Sequence, residues 1–476
     1  MKSKQNRTLK EFDFLYKMID DVYHEIALSM HLTDSAFLIL YCLLELGDGC
    51  SQKDICKLYS ISKQTINSSV KSLENKGFLT RRSGAGRDIH LFFTEFGRKF
   101  SEEHIGPVFD MENATFAAME PSECELLLSL TRKYIQILKE NMKQYIPSYY
   151  RNFQCIAQKC KDNCCIGWDI MIDRQSYEQY QKVATPFKKR LNEGIIQEEE
   201  PKFYMNEDGR CAFLNENNLC DIYIQLGEEA LCDICTEHPR FHNEYGHIVQ
   251  SGLGLACEEA ARLILNDLDL KIEEDVLKSE KEDDEWVNEL MKLEMLLLNI
   301  LKNKEYCVDE KIDKIFDLTA AYQKEINYTG ELTVPIDQKK IKPQHLMLKM
   351  RQKDYLEYWF DFYSNLDYMD ETFQSLLRKS VKEFETCKKQ DINDQYIERL
   401  LYYFIYRHFI KAYEDDNLID KIKFAVLSVL MIEIVAKYCK VYDSSFELLD
   451  IAKMYSKEIE YSEENIEAIF EELLFD

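Results

Sequence analysis

The chain has 476 residues, more than a single hydrophobic core usually accommodates, so two or more domains are expected. Hydrophobic residues make up 46% of it and aromatic residues 12%, which excludes a wholly disordered chain. It has 60 Lys and Arg against 86 Asp and Glu, a formal net charge of −26, so most of its surface is expected to repel DNA.

The N-terminal sequence lacks the apolar core of a signal peptide, and no apolar run approaches the length of a membrane-spanning helix. We therefore expect a soluble, cytoplasmic protein without a membrane partner. Glycine and proline are scarce, with 15 and 8 residues, which favours long helices and a mainly α fold. Three regions are predicted, at residues 1–146, 147–265 and 266–476. Pro147 marks the first boundary because proline disfavours continuation of the helical pattern before it.

A basic stretch interrupts this acidic chain: residues 51–100 contain 10 basic and 4 acidic side chains, which indicates a nucleic-acid-binding surface of limited extent. Residues 63–76 form a predicted helix in which Ile66, Val70 and Leu73 follow helical spacing and define one buried face. The rest of the helix surface has short polar and basic side chains that can reach base edges in a major groove. These predicted DNA-binding residues are Lys63, Gln64, Thr65, Asn67, Ser68 and Lys71.

A hairpin is predicted after this helix, with strands at residues 78–82 and 87–94 joined by a Gly-rich turn. Arg81, Arg82 and Arg87 flank the turn and are predicted to contact a minor groove or the phosphate backbone. The helix and hairpin together indicate a winged helix-turn-helix. The alternative is the same set of elements without a DNA partner, and the local excess of positive charge favours DNA.

Residues 8–145 resemble the MarR family of winged-helix transcription regulators, notably in SQKDICKLYSISKQTINSSVKSLENKGFL and in the TEFG turn after the hairpin. The resemblance implies a homodimer formed through the terminal helices, here residues 9–29 and 124–145. Such a dimer binds a pseudo-palindromic double-stranded DNA operator. One position departs from the family pattern, because His90 stands where the Asp-x-Arg pair of the wing has its arginine.

The second region contains nine of the 16 cysteines in about a hundred residues. A cytosolic compartment keeps thiols reduced, so this density indicates metal binding more than disulfides. Four soft thiolate ligands satisfy either Zn²⁺ or an iron–sulfur cluster. The alternative is a set of reduced core cysteines. The candidate metal ligands are Cys155, Cys160, Cys164, Cys165, Cys211, Cys220, Cys232, Cys235 and Cys257.

The same region resembles the flagellin lysine-N-methylase family, and the likeness extends over about residues 147–470. It is strongest in FQCIAQKCKDNCCIGWDIMID, in CAFLNENNLC, in CDICTEHPR and in CEEAAR. The resemblance implies S-adenosylmethionine-dependent N-methylation of lysines on a protein such as flagellin, with an iron–sulfur cluster bound by cysteines. A 4Fe–4S cluster is expected, with zinc as the alternative. Glu258 departs from the family, which often has proline after the last cysteine.

The sequence assigns no catalytic or donor-binding residue, because the Gly-rich turn of ordinary methyltransferases is absent. Aromatic clusters at residues 355–363 and 402–406 are candidates for a lysine slot, with helical core packing as the alternative. His238 and His242 are possible metal ligands; Arg240 and Arg262 can bind a carboxylate or pair with nearby acids. The alternative function is a non-catalytic regulator in which the cysteine region senses metal or oxidants and controls DNA binding.

Overall fold

The computed structural model describes residues 7–51, 55, 63–83, 89–140, 143–161, 163–197, 201–245, 248–275, 285–332, 341, 343–387 and 389–475. The fold is mainly α, as predicted. The chain divides into two compact units, of which unit 1 spans Met1–Asn141 and unit 2 begins at Met142. No single described helix is both long and apolar enough to cross a membrane; the first two helices pass that test only when taken together, and they are bent by 86°.

Unit 1 is a small helical domain with one hairpin. Its described elements are α1 (Arg7–Ser29), α2 (Asp34–Leu46), α3 (Lys63–Asn75), β1 (Leu79–Ser83), β2 (Ile89–Phe93), α4 (Glu95–Phe100), α5 (Gly106–Ala117) and α6 (Pro121–Glu140). Ile66, Val70 and Leu73 of α3 are buried against α2, so the predicted apolar face of this helix is confirmed. Residues 52–54 and 56–62, which precede α3, lie outside the described residues.

The hairpin of unit 1 has the predicted antiparallel form, with Leu79 opposite Phe93 and Arg82 opposite His90. Gly77 ends α3 with a φ of +78°, the left-handed conformation that glycine adopts without strain. Thr94 of the TEFG sequence is the N-terminal cap of α4. Its hydroxyl accepts a hydrogen bond from the N–H of Gly97 at 2.9 Å. Gly97 is required there, since an added Cβ would lie 1.7 Å from the carbonyl oxygen of Phe78. Helix, hairpin and turn thus form a winged helix.

The chain leaves its long helix earlier than predicted. Helix α6 ends at Glu140, and residues expected to extend it to Tyr145 form β3 (Lys143–Pro147) in unit 2. This strand lies in a mixed four-stranded sheet with β6 (Arg240–Tyr245), β7 (Ile248–Leu253) and β8 (Ile272–Asp275). The strand order is β6-β7-β3-β8, and β3 is parallel to β7 and antiparallel to β8. The helical prediction failed there because pairing with distant strands overrides the local pattern, and Ile146 becomes buried.

Unit 2 contains this sheet, two short strands and the remaining helices. Its described elements are β3, α7 (Arg174–Lys182), α8 (Phe187–Gly194), β4 (Ile195–Ile196), β5 (Lys202–Phe203), α9 (Asp221–Leu226), α10 (Asp233–Glu237), β6 (Arg240–Tyr245), β7 (Ile248–Leu253), α11 (Glu258–Asn266), β8 (Ile272–Asp275), α12 (Glu285–Leu301), α13 (Val308–Thr329), α14 (Leu346–Met350), α15 (Lys353–Ser364), α16 (Glu371–Lys382), α17 (Phe384–Cys387), α18 (Asp394–His408), α19 (Leu418–Tyr442), α20 (Leu448–Tyr455) and α21 (Glu463–Leu473). Helix α19 is buried along most of its length and packs against α13, α16, α18 and α20.

Unit 2 has two hydrophobic cores. The large core joins the C-terminal helices to Leu253, Leu255 and Ala260 of the cysteine-containing segment. The small core is formed by residues 170–232, including Tyr180 and Phe213. The end of the predicted second region therefore packs with the helical domain. Helix α13 ends at Thr329, and residues 333–340 and 342 lie outside the described residues.

Candidate functional site

Five of the nine cysteines lie around the small core, and we call them the inner thiols. They are Cys165, Cys211, Cys220, Cys232 and Cys235. Backbone pairing holds two of their segments together, because the N–H of Cys211 donates to the carbonyl of Cys165 at 2.9 Å. The thiol of Cys165 interacts electrostatically with those of Cys211 and Cys220, and the thiol of Cys235 with Cys165 and Cys220. The fold thus brings together thiols from three separate stretches of chain.

The inner thiols have shifted pKa values. Burial raises the pKa of Cys211 to about 11. The hydrogen bond with Cys164, burial and the neighbouring thiols raise the pKa of Cys165. Cys232 differs, because the hydrogen bond from Cys235 lowers the pKa of its thiol. Cys232 begins the short helix α10, and a cationic metal placed among these groups would favour their thiolate forms.

The remaining four cysteines form a second, more exposed group, the outer thiols. They are Cys155, Cys160, Cys164 and Cys257. Burial, and then proximity to Cys164 and Cys155, raise the pKa of Cys257 to about 11. The thiol of Cys160 donates to the carboxylate of Glu258 at 3.5 Å, and the N–H of Lys161 donates to it at 2.6 Å. Glu258, which departs from the family pattern, therefore holds the loop that contains Cys160 and Lys161.

The adjacent residues Cys164 and Cys165 join the outer and inner thiols. Among the residues that the structure describes, no three Cys, His, Asp or Glu side chains are arranged as a closed metal-binding set. The structure thus brings the predicted ligands into one region of unit 2 without selecting a subset of them. Which of the nine bind metal stays a prediction.

A buried polar cluster lies near Cys257, and no sequence motif predicts it. Helix α20 continues into a π-helical turn, Ser456–Glu460, a distortion that is frequent at functional sites. The carboxylate of Glu460 accepts from Nε2 of His408 at 2.7 Å and from the hydroxyl of Tyr403 at 3.0 Å, and lies 3.5 Å from Nε of Arg407. Burial would raise the pKa of Glu460, but the Arg407 guanidinium and the His408 hydrogen bond outweigh it and lower that pKa.

Tyr461 connects this cluster to the cysteine region. Its ring lies 5.4 Å from that of Trp168, and the guanidinium of Arg407 lies 5.0 Å from its centroid. Burial raises the pKa of Tyr461, and the nearby thiol of Cys257 raises it further. The ammonium of Lys457 lies 5.4 Å from the Trp168 ring. The cysteine region and the last helices thus share one polar contact zone.

The histidines and arginines predicted as possible ligands or carboxylate partners lie in or beside β6 and α11. His242 is hydrogen-bonded to Ser251 at 2.7 Å and to Glu237 at 3.1 Å. Burial lowers the pKa of His238 to about 4. The guanidinium of Arg262 pairs with Glu259 at 2.6 Å, so this arginine has the acidic partner that was one of its two expected roles. Arg240 lies over the ring of Phe153 at 5.5 Å.

The aromatic clusters proposed for a lysine slot lie mostly inside the large core. Trp359 and Tyr363 are fully buried there. The hydroxyl of Tyr406 donates to carbonyl oxygens of β3 and β7. Core packing, the alternative reading, describes these side chains. Tyr402 differs, because its buried hydroxyl has no hydrogen-bond partner among the described residues.

The predicted DNA-binding surface is described in part. The side chains of Lys63, Gln64, Thr65 and Asn67, and all of Arg87, lie outside the described residues. Ser68 and Lys71 are exposed on α3. Arg81 pairs with Glu74 of α3 at 2.6 Å, and the guanidinium of Arg82 lies 4.2 Å from the ring of Phe92.

Comparison with known proteins identifies both parts of the chain. A MarR family profile matches residues 32–87, and the profile of the FliB lysine N-methylase C-terminal domain matches residues 274–476. A solved MarR family regulator from Neisseria meningitidis, NMB1585, is 20% identical with a TM-score of 0.26, over 28% of this chain and 96% of its own.

Two curated relatives are proteins of Salmonella. The flagellar biosynthetic protein FliU of Salmonella muenchen is 34% identical over 131 residues, 26% of this chain and 77% of FliU. The lysine-N-methylase of Salmonella choleraesuis (strain SC-B67) is 32% identical over 130 residues, which are 26% of this chain and 32% of that enzyme. The match therefore spans about a third of that curated enzyme. The chain belongs to the lysine-N-methylase (FliB/FliU) family and has a MarR-type winged-helix DNA-binding domain at its N-terminal end.

Proposed function

We propose that the protein is a DNA-binding regulator fused to an iron–sulfur, S-adenosylmethionine-dependent protein lysine N-methylase whose substrate is flagellin or a similar protein. One observation supports this most strongly. Nine cysteines from distant stretches fold into two adjoining groups, and Cys257 of the outer group packs against the core of the helices matched by the lysine N-methylase profile. The choice of flagellin and of S-adenosylmethionine rests on the family resemblance, and one relative is described as a flagellar biosynthetic protein.

The chemistry of the thiols fits an iron–sulfur cluster. Cys165, Cys220 and Cys235 interact with one another, and further thiols from the outer group adjoin them, so more soft donors are present than one cluster needs. The inner thiols would hold the cluster, with zinc as the alternative occupant. When bound, a cluster supplies a redox centre, or an iron with an open coordination position.

The residues around the thiols have roles that do not depend on the metal. Methyl transfer to an amine requires alignment of donor and acceptor and exclusion of water. The buried Arg407–Glu460 pair and the half-buried Trp168–Tyr461 contact form a wall near Cys257, one of the outer thiols. We assign this wall a positioning role.

The surface of unit 1 supports the proposed homodimer. Apolar side chains are exposed along α1, including Phe14, Leu15 and Ile19, and along α6, including Leu130 and Ile135. Large exposed apolar patches mark interaction surfaces. A second copy covering these two helices would also place two recognition helices on one operator. A cytoplasmic location, where DNA is accessible, follows from the same proposal.

The enzyme is tested with anaerobically purified, iron-loaded full-length protein, methyl-labelled S-adenosylmethionine and monomeric flagellin. We expect flagellin lysines to gain labelled methyl groups, as measured by peptide mass spectrometry. Cys232→Ser should lose iron and activity. Cys307→Ser is the matched control, because this exposed cysteine lies outside both thiol groups. Unlabelled flagellin after incubation with iron-loaded parent protein would contradict the proposal.

A second candidate is a redox-sensing regulator without catalysis. It is favoured by the exposure of Cys155 and Cys164, since accessible thiols are the ones that oxidants reach. In that case the affinity for operator DNA should differ between the reduced, oxidised and metal-free forms. Equal affinity of all three forms would exclude this function.

A further inference from the structure

A carboxylate lies among the outer thiols. Oε2 of Glu258 accepts a hydrogen bond from the thiol of Cys160 at 3.5 Å and another from the N–H of Lys161 at 2.6 Å. Glu258 is the first residue of α11, and Cys257 is the N-cap residue of the same helix. The outer group therefore contains an oxygen donor as well as sulfur donors.

The spacing of the Cys160 and Glu258 atoms fits two ligands of one metal ion. Zinc binds thiolate sulfur at about 2.3 Å and carboxylate oxygen at about 2.0–2.2 Å, with tetrahedral angles between its ligands. Two such ligands on one ion lie about 3.5–3.7 Å apart. Sγ of Cys160 and Oε2 of Glu258 are separated by 3.5 Å. The N–H of Lys161 orients this carboxylate, as outer hydrogen bonds commonly do for metal ligands.

Two further thiols lie close to this pair. Cys257 directly precedes Glu258, and its thiol interacts electrostatically with that of Cys155. The N-cap position places Cys257 at the positive end of the α11 dipole, which favours the thiolate that a metal requires. Cys155 is exposed in a loop between two short 3-10 turns. Three sulfur donors and one oxygen donor, the number that tetrahedral zinc takes, are therefore present.

These donors are distinct from the inner thiols. The inner thiols surround the small core of unit 2, whereas Cys257 packs against the large core. Cys164, the fourth outer thiol, is hydrogen-bonded to Cys165 of the inner group, so it lies at the border between the two groups. Iron–sulfur clusters are held by thiolates, whereas zinc also accepts carboxylate oxygen. The two groups of donors therefore suit two different metal centres.

We propose that Cys155, Cys160, Cys257 and Glu258 bind one Zn²⁺, in a second metal site beside the iron–sulfur site of the inner thiols. In the described part of the chain these donors approach one another without closing around an ion, and the exposed Cys155 loop closes the set when zinc binds. Each thiol releases its proton to solvent as it binds the metal. The bound ion joins this loop to the start of α11.

The test uses full-length protein that is loaded with iron anaerobically, washed with a chelator and titrated with Zn²⁺. Elemental analysis measures both metals, and zinc X-ray absorption spectroscopy identifies the ligand atoms. We expect about one zinc per chain in addition to the iron, bound by sulfur and oxygen together. Glu258→Gln and Cys155→Ser should each weaken zinc binding at least about tenfold and leave the iron content unchanged. Cys155 is exposed, so its serine variant should fold normally, as checked by circular dichroism. Glu216→Gln and Cys307→Ser, exposed side chains outside the site, are the matched controls and should bind zinc like the parent.

Three results would overturn the inference: zinc bound by sulfur alone, zinc affinity unchanged by Glu258→Gln, or loss of iron from the Cys155→Ser variant. Cys232→Ser separates the two metal centres, because it should lose iron and keep zinc; a variant that loses both metals would show one shared site. If the iron-loaded parent methylates flagellin and binds no zinc, the zinc site is wrong and the proposed function stands. If zinc binds as expected and the iron-loaded parent does not methylate, the proposed function is wrong and the zinc site stands.

Discussion

Gly254 and Tyr461 are in direct contact: a Cβ added at Gly254 would lie 2.2 Å from the Tyr461 hydroxyl oxygen and 3.1 Å from Nη1 of Arg407. Gly254 follows β7, and Tyr461 follows the π-helical turn, so this contact joins the cysteine region to the last helices. Gly254→Ala should therefore displace Tyr461 and lower the free energy of unfolding by about 1–3 kcal/mol, as measured by urea titration.

A double variant isolates that contact. Tyr461→Phe removes the oxygen that the new methyl group would strike, so adding it to Gly254→Ala should recover part of the lost stability. The coupling energy of the two changes should be about 0.5–3 kcal/mol. Strictly additive effects would show that the glycine is needed for another reason.

The buried Glu460 predicts a specific dependence of stability on pH. Although burial acts to raise its pKa, Arg407 and His408 hold that pKa below the ordinary value of 4.5. The folded protein thus binds this proton less readily than the unfolded chain, so the contribution of Glu460 is present above pH 4.5 and is lost as pH falls through the folded pKa. Glu460→Gln should cost about 3–5 kcal/mol near neutral pH, and less in acid, in thermal unfolding of the full chain.

Glu294 provides a control of opposite sign. Burial raises its pKa well above 4.5, so its contribution to stability is present below that pH and is lost as pH rises. Glu294→Gln should therefore gain stability relative to the parent as pH increases. If both glutamine variants followed the same trend with pH, the assignment of Glu460 as an ionised partner of Arg407 would be wrong.

The wing arginines should differ in their effect on DNA binding. The guanidinium of Arg81 forms an ion pair with Glu74, whereas the guanidinium of Arg82 lies over the ring of Phe92 and has no acidic partner in that contact. Arg82→Ala should weaken binding to all DNA sequences and lower the salt dependence by about one counterion. Arg81→Ala should have a smaller effect, and Glu74→Ala should strengthen binding. Fluorescence anisotropy at several salt concentrations measures each change, and an Arg82→Ala variant that binds like the parent would contradict this assignment.

The apolar surface of α1 and α6 should control the oligomeric state. Leu130→Glu should convert the dimer to a monomer in sedimentation experiments and weaken operator binding, because a buried charge would be left unpaired. Leu348→Glu is the control, an exposed leucine of unit 2 outside this surface. A parent protein that sediments as a monomer at micromolar concentration would exclude the dimer.

The sequence predicts correctly those features of the fold that depend on neighbouring residues along the chain. The spacing of Ile66, Val70 and Leu73 predicts the face of α3 that is buried, and Gly77 predicts where that helix ends. The density of cysteines predicts a thiol-rich region, whereas the contacts between its separate stretches come from the fold, as in the backbone pairing of Cys211 with Cys165. The family resemblance adds the identity of both domains.

Other features depend on residues that are far apart in sequence. The strand β3 looks helical until β7 and β8 pair with it, and Glu460 meets Arg407 only through tertiary packing. The Gly-x-Gly pattern that contains Gly254 indicates no function by itself. The structure shows why this position is glycine: a side chain there would collide with Tyr461. No short-range pattern contains this information.

The position of β3 has a consequence for the order in which the protein folds during synthesis. This strand leaves the ribosome directly after unit 1, but its partner β7 begins only at Ile248. Unit 1 forms mostly local contacts and can fold early, whereas the sheet of unit 2 must wait for closure of a long loop. A nascent or shortened chain that ends between Pro147 and Ile248 would therefore present an unpaired strand edge, which can pair with another chain and start aggregation.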